Sequence, residues 1–187
     1  MLRIYSISRP YLGCGWAIHP LTGSLLKFSA SDVPKFRAGK LPEKVVSALN
    51  FCDHPYTLNP TSRKDDLPQN DSNKIAKIYS RLSFLRKKSF FISIAYAAIG
   101  CRIYPDATIA MRALINELPS HDSEACLQRA LTVAKCSKKF KTHGVVLIGA
   151  QLPLKSLHAW IVEDGVQPDP EDRQWVNFLP LLALAYP

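Results

Sequence analysis

Residues 120–169 constrain the fold of this chain more than any other stretch of its sequence. They contain a short amphipathic helix pattern around Cys126, then a continuous apolar run at residues 145–149, then a strand pattern at residues 157–163. A continuous apolar run is typical of a central strand that is buried on both faces. The Asp-Gly dipeptide after the strand pattern is the strongest short-range signal for a two-residue hairpin. This part of the chain is therefore predicted to combine one helix with antiparallel strands.

Cys126 lies in the first turn of the predicted helix, which runs through Leu131 and Ala134. Asp122 or Ser123, just before it, can accept hydrogen bonds from the first helix amides. The positive end of a helix favours the thiolate, which is the nucleophilic form of cysteine. A single cysteine in an amphipathic helix is more often a buried core residue, so the position alone does not predict catalysis.

The predicted hairpin brings an imidazole and a carboxylate to one face. With the Asp-Gly pair as its loop, Glu163 faces Val166, and Trp160 faces Asp169. His158 and Asp169 are then diagonal neighbours, and such positions lie about 7–8 Å apart at the backbone, within reach of the two side chains. The sequence therefore predicts a catalytic triad of Cys126, His158 and Asp169.

Glu171 is the alternative to Asp169 as the third member. Prolines stand on both sides of Asp169 and cannot donate to a strand ladder, so pairing is expected to fade there. In the same register Glu171 faces His158 directly. The choice between the two carboxylates stays open at this point.

The composition is that of an ordinary globular protein with a basic surface. Its 187 residues carry a formal net charge of +9, and 47% of them are hydrophobic, enough to bury a real core. The five cysteines are an odd number and no secretory signal pattern is visible, which predicts a reducing, cytoplasmic location without disulfides. The apolar run at residues 89–103 is too short to span a bilayer comfortably, so no membrane partner is expected.

The remaining patterns predict two parts joined by a linker. Residues 1–60 contain three short strand patterns and one helix pattern, typical of a small β-rich module that can capture a peptide at a strand edge. The alternative is that these residues only add to the core of the main domain. Residues 61–73 are poor in apolar side chains and are interpreted as a linker. Residues 74–187 are predicted to form the main domain, and the helix patterns at its start cover residues 72–88, 89–103 and 106–118.

Three motifs of the carboxy-terminal half together resemble the B proteins of lasso-peptide biosynthesis. They are the helix Ala-Cys-Leu-Gln-Arg-Ala-Leu, the strand Gly-Val-Val-Leu-Ile-Gly and the hairpin Ser-Leu-His-Ala-Trp-Ile-Val-Glu-Asp-Gly. Those proteins are leader peptidases, and residues 1–60 loosely resemble the precursor-recognition module fused to some of them. The resemblance implies an α+β chain in which a papain/transglutaminase-like cysteine protease domain follows a small β-rich recognition module.

The resemblance also implies a function, namely removal of the leader from a ribosomally made lasso-peptide precursor. The expected partners are the leader region of the precursor and a separate ATP-dependent macrolactam synthetase. No phosphate-binding loop is visible, so no directly bound cofactor is expected and any ATP dependence would act through the synthetase. In one respect the chain departs from the family, because Pro-Asp-Pro stands at residues 168–170 where members usually have an Asn-Asp pair.

Two alternatives belong to other functional classes. The same triad could transfer an acyl group to an amine, as a transglutaminase does. The basic charge would also suit a non-enzymatic protein that binds peptides or nucleic acid, but no nucleic-acid-binding signature is present and no such partner is expected. Cys126, Cys136, His143 and His158 lack the compact spacing of metal ligands, so no metal is expected.

Overall fold

The computed structural model describes residues 2–36, 40–53, 72–118, 125–152, 154–169 and 174–187. Helices and strands are mixed along the chain, which confirms the α+β class. The helices are α1 (Glu43–Asp53), α2 (Ser72–Lys88), α3 (Phe90–Ala98), α4 (Ala107–Glu117), α5 (Cys126–Cys136) and α6 (Phe140–His143), with 3-10 turns at Ala30–Phe36 and Gln174–Asn177. The strands are β1 (Arg3–Ser6), β2 (Arg9–Tyr11), β3 (Cys14–Ile18), β4 (Leu25–Ser29), β5 (Gly144–Gln151), β6 (Ser156–Glu163) and β7 (Leu179–Ala185).

The main sheet joins the two ends of the chain. Its four strands lie in the order β1-β7-β5-β6, and each neighbouring pair is antiparallel. At one edge Tyr5 of β1 lies opposite Ala183 of β7, and β6 forms the other edge. The first strand is thus held by the last one, and the sheet is complete only when both are present.

Strand β5 is the buried centre of this sheet, as its apolar run predicts. Val146 and Ile148 point into the core cluster formed with α2, α3, α4 and α5. Val145 and Leu147 point into a second cluster on the opposite face, where α1 covers the sheet. Because both faces are buried, an unbroken apolar run is stable in this strand.

A second, three-stranded sheet is formed by β2, β3 and β4. The grouping differs from the sequence prediction for residues 1–60, which counted β1 with β3 and β4 and missed β2. The reason is that β1 pairs with β7 in the main sheet. Its side chains also pack on both core clusters, Ile4 on one and Tyr5 on the other. The predicted linker at residues 61–73 falls almost entirely outside the described residues, so that boundary stays a prediction.

The hairpin turn is confirmed, but its predicted ladder is wrong. Asp164 and Gly165 have φ values of 53° and 71°, and Glu163 exchanges two 3.0 Å hydrogen bonds with Val166. Beyond that pair the ladder stops, and Trp160 pairs with Leu147 of β5 rather than with Asp169. Proline at position 168 has no N–H to donate, which explains why pairing ends there.

The helix patterns agree with the structure, with one correction. The patterns at residues 72–88 and 106–118 correspond to α2 and α4, the latter capped by Asp106, whose side chain accepts a hydrogen bond from the Ile109 amide. The apolar pattern at residues 89–103 forms the shorter helix α3. Among the described residues, no helix has both the length and the apolarity needed to cross a bilayer.

Candidate active site

Helix α5 presents Cys126 at its first position. Ala125 occupies the N-cap, where it makes no side-chain capping bond, while Asp122 and Ser123 lie outside the described residues. The helix packs along β6, the edge strand that carries His158. The end of the helix and the middle of an edge strand thus meet where the sequence predicts a nucleophile and a base.

The Cys126 thiol is half-buried and shares a hydrogen bond with the His158 imidazole. Burial acts to raise the pKa of this thiol, but the hydrogen bond and charge of His158, together with the amides of Ala159 and Leu127, lower it below the ordinary value of 9.0. Two other cysteines show the opposite behaviour, because burial raises the pKa of Cys52 and of Cys136 to about 12. Cys126 is therefore set apart by its surroundings and not only by its place in a helix.

The His158 ring is held by aromatic neighbours. It stacks on Trp160 with ring centroids 6.0 Å apart and planes at 17°, and it lies 5.0 Å from the ring of Phe178. Trp160 in turn lies 6.3 Å from Trp175, which stacks on Phe51 of α1 at 5.2 Å. This aromatic column, formed by His158, Trp160, Trp175 and Phe51, connects the imidazole with the helix on the far face of the sheet.

Gly149 leaves the space that this column needs. It pairs with His158 across the β5–β6 ladder and lies beside an irregularity in the β5–β7 ladder. A Cβ at this position would lie 2.9 Å from the Trp160 ring and 2.7 Å from the Leu179 carbonyl oxygen. The second glycine of the Gly-Val-Val-Leu-Ile-Gly motif is therefore required by close packing behind the imidazole.

Asp169 is buried and bound to the same helix as Cys126. Its Oδ2 lies 2.5 Å from Nη2 of Arg129, and the two side chains are only 5% and 13% exposed. The Asp169 amide also donates a hydrogen bond to the side-chain oxygen of Gln167. Because Arg129 lies one helical turn after Cys126, the ion pair fixes Asp169 to the helix that carries the thiol. Glu171 lies outside the described residues.

Cys126 and His158 open into a cleft of about 410 Å³. The β3–β4 turn of the small sheet forms one side of this cleft, and the junction of α2 and α3 forms another. The other lining residues are Ile18, Thr22, Gly23, Arg86, Lys87, Phe90, Leu127, Ile148, Leu157 and Ala159. An extended peptide could reach the thiol through this opening.

Sequence reasoning missed several of these residues. Arg129 pairs with Asp169 from a helix position that reads as ordinary surface charge, so no local signal pointed to it. Phe178 belongs to the segment before β7, whose apolar run Leu179–Ala185 could have been recognised as a strand. Arg86 and Lys87 were seen only as charges within a helix, and nothing in the sequence places them beside Cys126.

Within the described ranges, no group of three or more histidine, cysteine, aspartate or glutamate side chains could hold a metal ion. Comparisons with protein-family models, with curated proteins and with solved structures found no match to this chain.

Proposed function

We propose that this chain is a cysteine peptidase that removes the leader from a ribosomally made lasso-peptide precursor. The observation that carries the proposal is the hydrogen bond between the Cys126 thiol and the His158 imidazole at the start of a helix. A thiol with a lowered pKa beside a base is what nucleophilic catalysis by cysteine requires. A half-buried pair that opens into a cleft also gives a substrate access to it.

In the proposed mechanism, His158 takes the proton of Cys126 and the thiolate attacks the scissile carbonyl. The first-turn amides of a helix have no intrahelical acceptor, so the Cys126 amide is a suitable donor to the developing oxyanion. The protonated His158 then gives its proton to the leaving amine, and a thioester remains on Cys126. Water hydrolyses the thioester, which releases the leader acid and restores the thiol.

Asp169 is proposed as the third member of the triad, with Glu171 as the alternative. A carboxylate in this role fixes the imidazole tautomer and stabilises the imidazolium that forms during attack. In support of Asp169, its carboxylate is buried and held by Arg129 on the helix of the nucleophile. The ion pair limits the motion of the Asp169 carboxylate, so its position relative to helix α5 and Cys126 is fixed.

The papain/transglutaminase-like fold is part of the same proposal. A helix that begins at the nucleophilic cysteine and packs on an antiparallel sheet, with the histidine in an adjacent strand, is the arrangement expected of that fold. Within the predicted division at residues 1–60, 61–73 and 74–187, the proposed leader-recognition element is the small sheet β2–β4, and the peptidase part at residues 74–187 is completed by β1 and α1. The proposed partner enzyme is a macrolactam synthetase, which would supply any ATP dependence, and we assign the reaction to the reducing cytoplasm because the thiol must stay reduced.

The test is leader cleavage by full-length variants. The substrate is a lasso-peptide precursor, chosen by sequencing the neighbourhood of this gene for a short open reading frame. It is incubated with the chain, the synthetase and ATP, and the products are identified by mass spectrometry. Cys126→Ala and His158→Ala are expected to abolish cleavage while the circular dichroism spectrum is unchanged. Cys101→Ala is the matched control, because Cys101 is exposed and lies outside the cleft. Full cleavage by Cys126→Ala would refute the proposal.

The same experiment separates hydrolysis from acyl transfer. Both reactions pass through a thioester on Cys126, so the pair of side chains supports either. Adding a primary amine distinguishes them, because a transglutaminase-like enzyme would give amide products in place of the free leader acid. We expect the free acid to remain the main product.

A further inference from the structure

The cleft beside the nucleophile has a basic wall. Arg86 and Lys87, in the last turn of α2, line it together with the apolar side chains of Ile18, Phe90 and Leu157. None of the described residues that line the cleft is acidic. The cleft therefore offers positive charge and apolar surface to the same occupant.

Arg86 is tied to the helix that carries the nucleophile. With the Gln128 amide oxygen facing α2, Arg86 Nε donates a 2.8 Å hydrogen bond to it, and the amide nitrogen of Gln128 donates to the Ala125 carbonyl at 3.1 Å. The positive charge is thereby kept next to the first turn of α5, where Cys126 lies.

The end of a helix does not by itself explain this wall. Cations are generally stabilising in the last turn of a helix, and α2 ends with three of them. Lys88, however, lies 4.7 Å over the Phe84 ring and is not among the residues that line the cleft. Two of the three cations therefore line the cleft while the third is held elsewhere, which provides a matched control within one helical turn.

We propose that the cleft binds a carboxylate of the substrate peptide, next to an apolar side chain and close to the bond that Cys126 attacks. Arg86 and Lys87 bind the carboxylate by charge-assisted hydrogen bonds, and Phe90 and Leu157 contact the apolar neighbour. This inference rests on the proposed peptidase function, because it takes the occupant of the cleft to be the peptide that is cleaved. The carboxylate can come from an aspartate or glutamate side chain or from the carboxy terminus of the peptide.

The experiment selects bound peptides with the full-length Cys126→Ala variant, which cannot cleave them. The probe is an equimolar library of acetylated, amidated hexapeptides that contain Ala, Leu, Phe, Asn, Gln, Asp, Glu and Lys. A second library with free carboxy termini shows whether a terminal carboxylate serves instead of a side chain. The selections are repeated with the double variants Cys126→Ala/Lys87→Glu and Cys126→Ala/Lys88→Glu. The wild-type chain is tested separately for cleavage of the precursor in the presence of the synthetase and ATP.

We expect the bound peptides to be enriched in a carboxylate by roughly 10-fold over its amide counterpart, about the effect of one charge-assisted hydrogen bond. Lys87→Glu should remove this enrichment, whereas Lys88→Glu should retain it. Selection without carboxylate enrichment, or enrichment unchanged by Lys87→Glu, would overturn the inference and leave the peptidase proposal standing. Carboxylate-dependent binding together with no Cys126-dependent cleavage of the precursor in the presence of the synthetase and ATP would instead support the cleft assignment and overturn the peptidase.

Discussion

The thiol pKa differs between individual cysteines of this chain because their surroundings differ. Cys52 and Cys136 are packed among apolar side chains, where burial raises their pKa to about 12 and keeps them protonated. Cys126 is also largely enclosed, yet an imidazole and two amides stabilise its negative charge. The sequence predicted the helix position of Cys126 and its pairing with His158, but the contribution of the Ala159 backbone amide has no side-chain pattern that could have indicated it.

At the residue scale, Asp169→Asn tests the third member of the proposed triad. We expect kcat/KM to fall by up to roughly 10⁴-fold if the carboxylate orients His158 as in serine triads. The same change leaves the buried Arg129 without its ion-pair partner, which typically costs about 3–5 kcal/mol of stability. Activity must therefore be measured alongside urea unfolding, at a temperature where the variant is folded.

A double variant separates the two effects of Asp169. Arg129→Met combined with Asp169→Asn removes both buried charges, so stability should recover relative to Asp169→Asn alone. If Asp169 belongs to the triad, activity will stay low after stability has recovered. Recovery of activity together with stability would give Asp169 a structural role only, and Glu171→Gln would then be the variant to examine.

At the element scale, Glu163 connects three parts of the fold. Its carboxylate accepts a 2.6 Å hydrogen bond from the Ala107 amide at the start of α4 and a 2.5 Å bond from the Ser137 hydroxyl after α5. Glu163→Ala leaves both buried donors without this acceptor, and each such loss costs about 1–3 kcal/mol. We expect urea unfolding of this variant to show a loss of about 2–6 kcal/mol at pH 7. Unchanged stability would contradict the role of Glu163 as a structural link.

The pH dependence of stability supplies a second test of Glu163. Burial raises its pKa above the ordinary value of 4.5, against the opposing effect of the hydrogen bonds from Ser137 and Ala107. The neutral acid is therefore favoured in the folded state. The stability that this difference in pKa contributes is fully present below pH 4.5 and is lost as the pH rises through the raised pKa of Glu163. Glu163→Gln keeps the size of the side chain and one acceptor, for the Ala107 amide, while its NH2 group faces the Ser137 hydroxyl. It should remove this part of the pH profile, measured by urea unfolding between pH 4 and 8. A profile identical to that of the wild type would show that Glu163 does not titrate differently on folding.

The hairpin shows how far local patterns predict an element. The Asp-Gly turn and the Glu163–Val166 pair follow from turn chemistry alone, and both are confirmed. The continuation of the ladder depends on whether the next residues can donate hydrogen bonds and on what else competes for them. Asp169 is bound by Arg129 and Gln167 instead of pairing with Trp160, and Arg129 lies 40 residues away, where no local pattern connects it with Asp169.

At the scale of the whole molecule, the main sheet depends on residues that are distant in the sequence. Local periodicity predicted most strands and helices but not the pairing of β1 with β7, because a strand pattern does not identify its partner. For the same reason β1 was assigned to a small module, although Ile4 and Tyr5 pack on the two sides of the main core. Tertiary contacts, not propensities, decide that grouping.

Removing residues 1–60 tests this arrangement. The shortened chain lacks β1 and α1, so β7 becomes an unpaired edge, and the apolar face with Trp160 and Trp175 loses its cover. We expect it to aggregate or to unfold without cooperativity when heated, as followed by circular dichroism. A shortened chain with a cooperative transition like that of the full chain would show that residues 61–187 are an autonomous domain.

The pH dependence of Cys126 alkylation tests the central claim most directly. Iodoacetamide modification of Cys126 would be followed by quantitative mass spectrometry in the wild type and in His158→Ala, with the unfolded chain as reference. The alkylation rate of Cys126 in the wild type is expected to show an inflection below pH 9.0. In His158→Ala the inflection should shift to higher pH. Burial raises the pKa of Cys126, and this variant lacks the imidazole that lowers it. A wild-type profile that coincides with that of the unfolded chain, or one that His158→Ala leaves unchanged, would contradict a catalytic pair of Cys126 and His158.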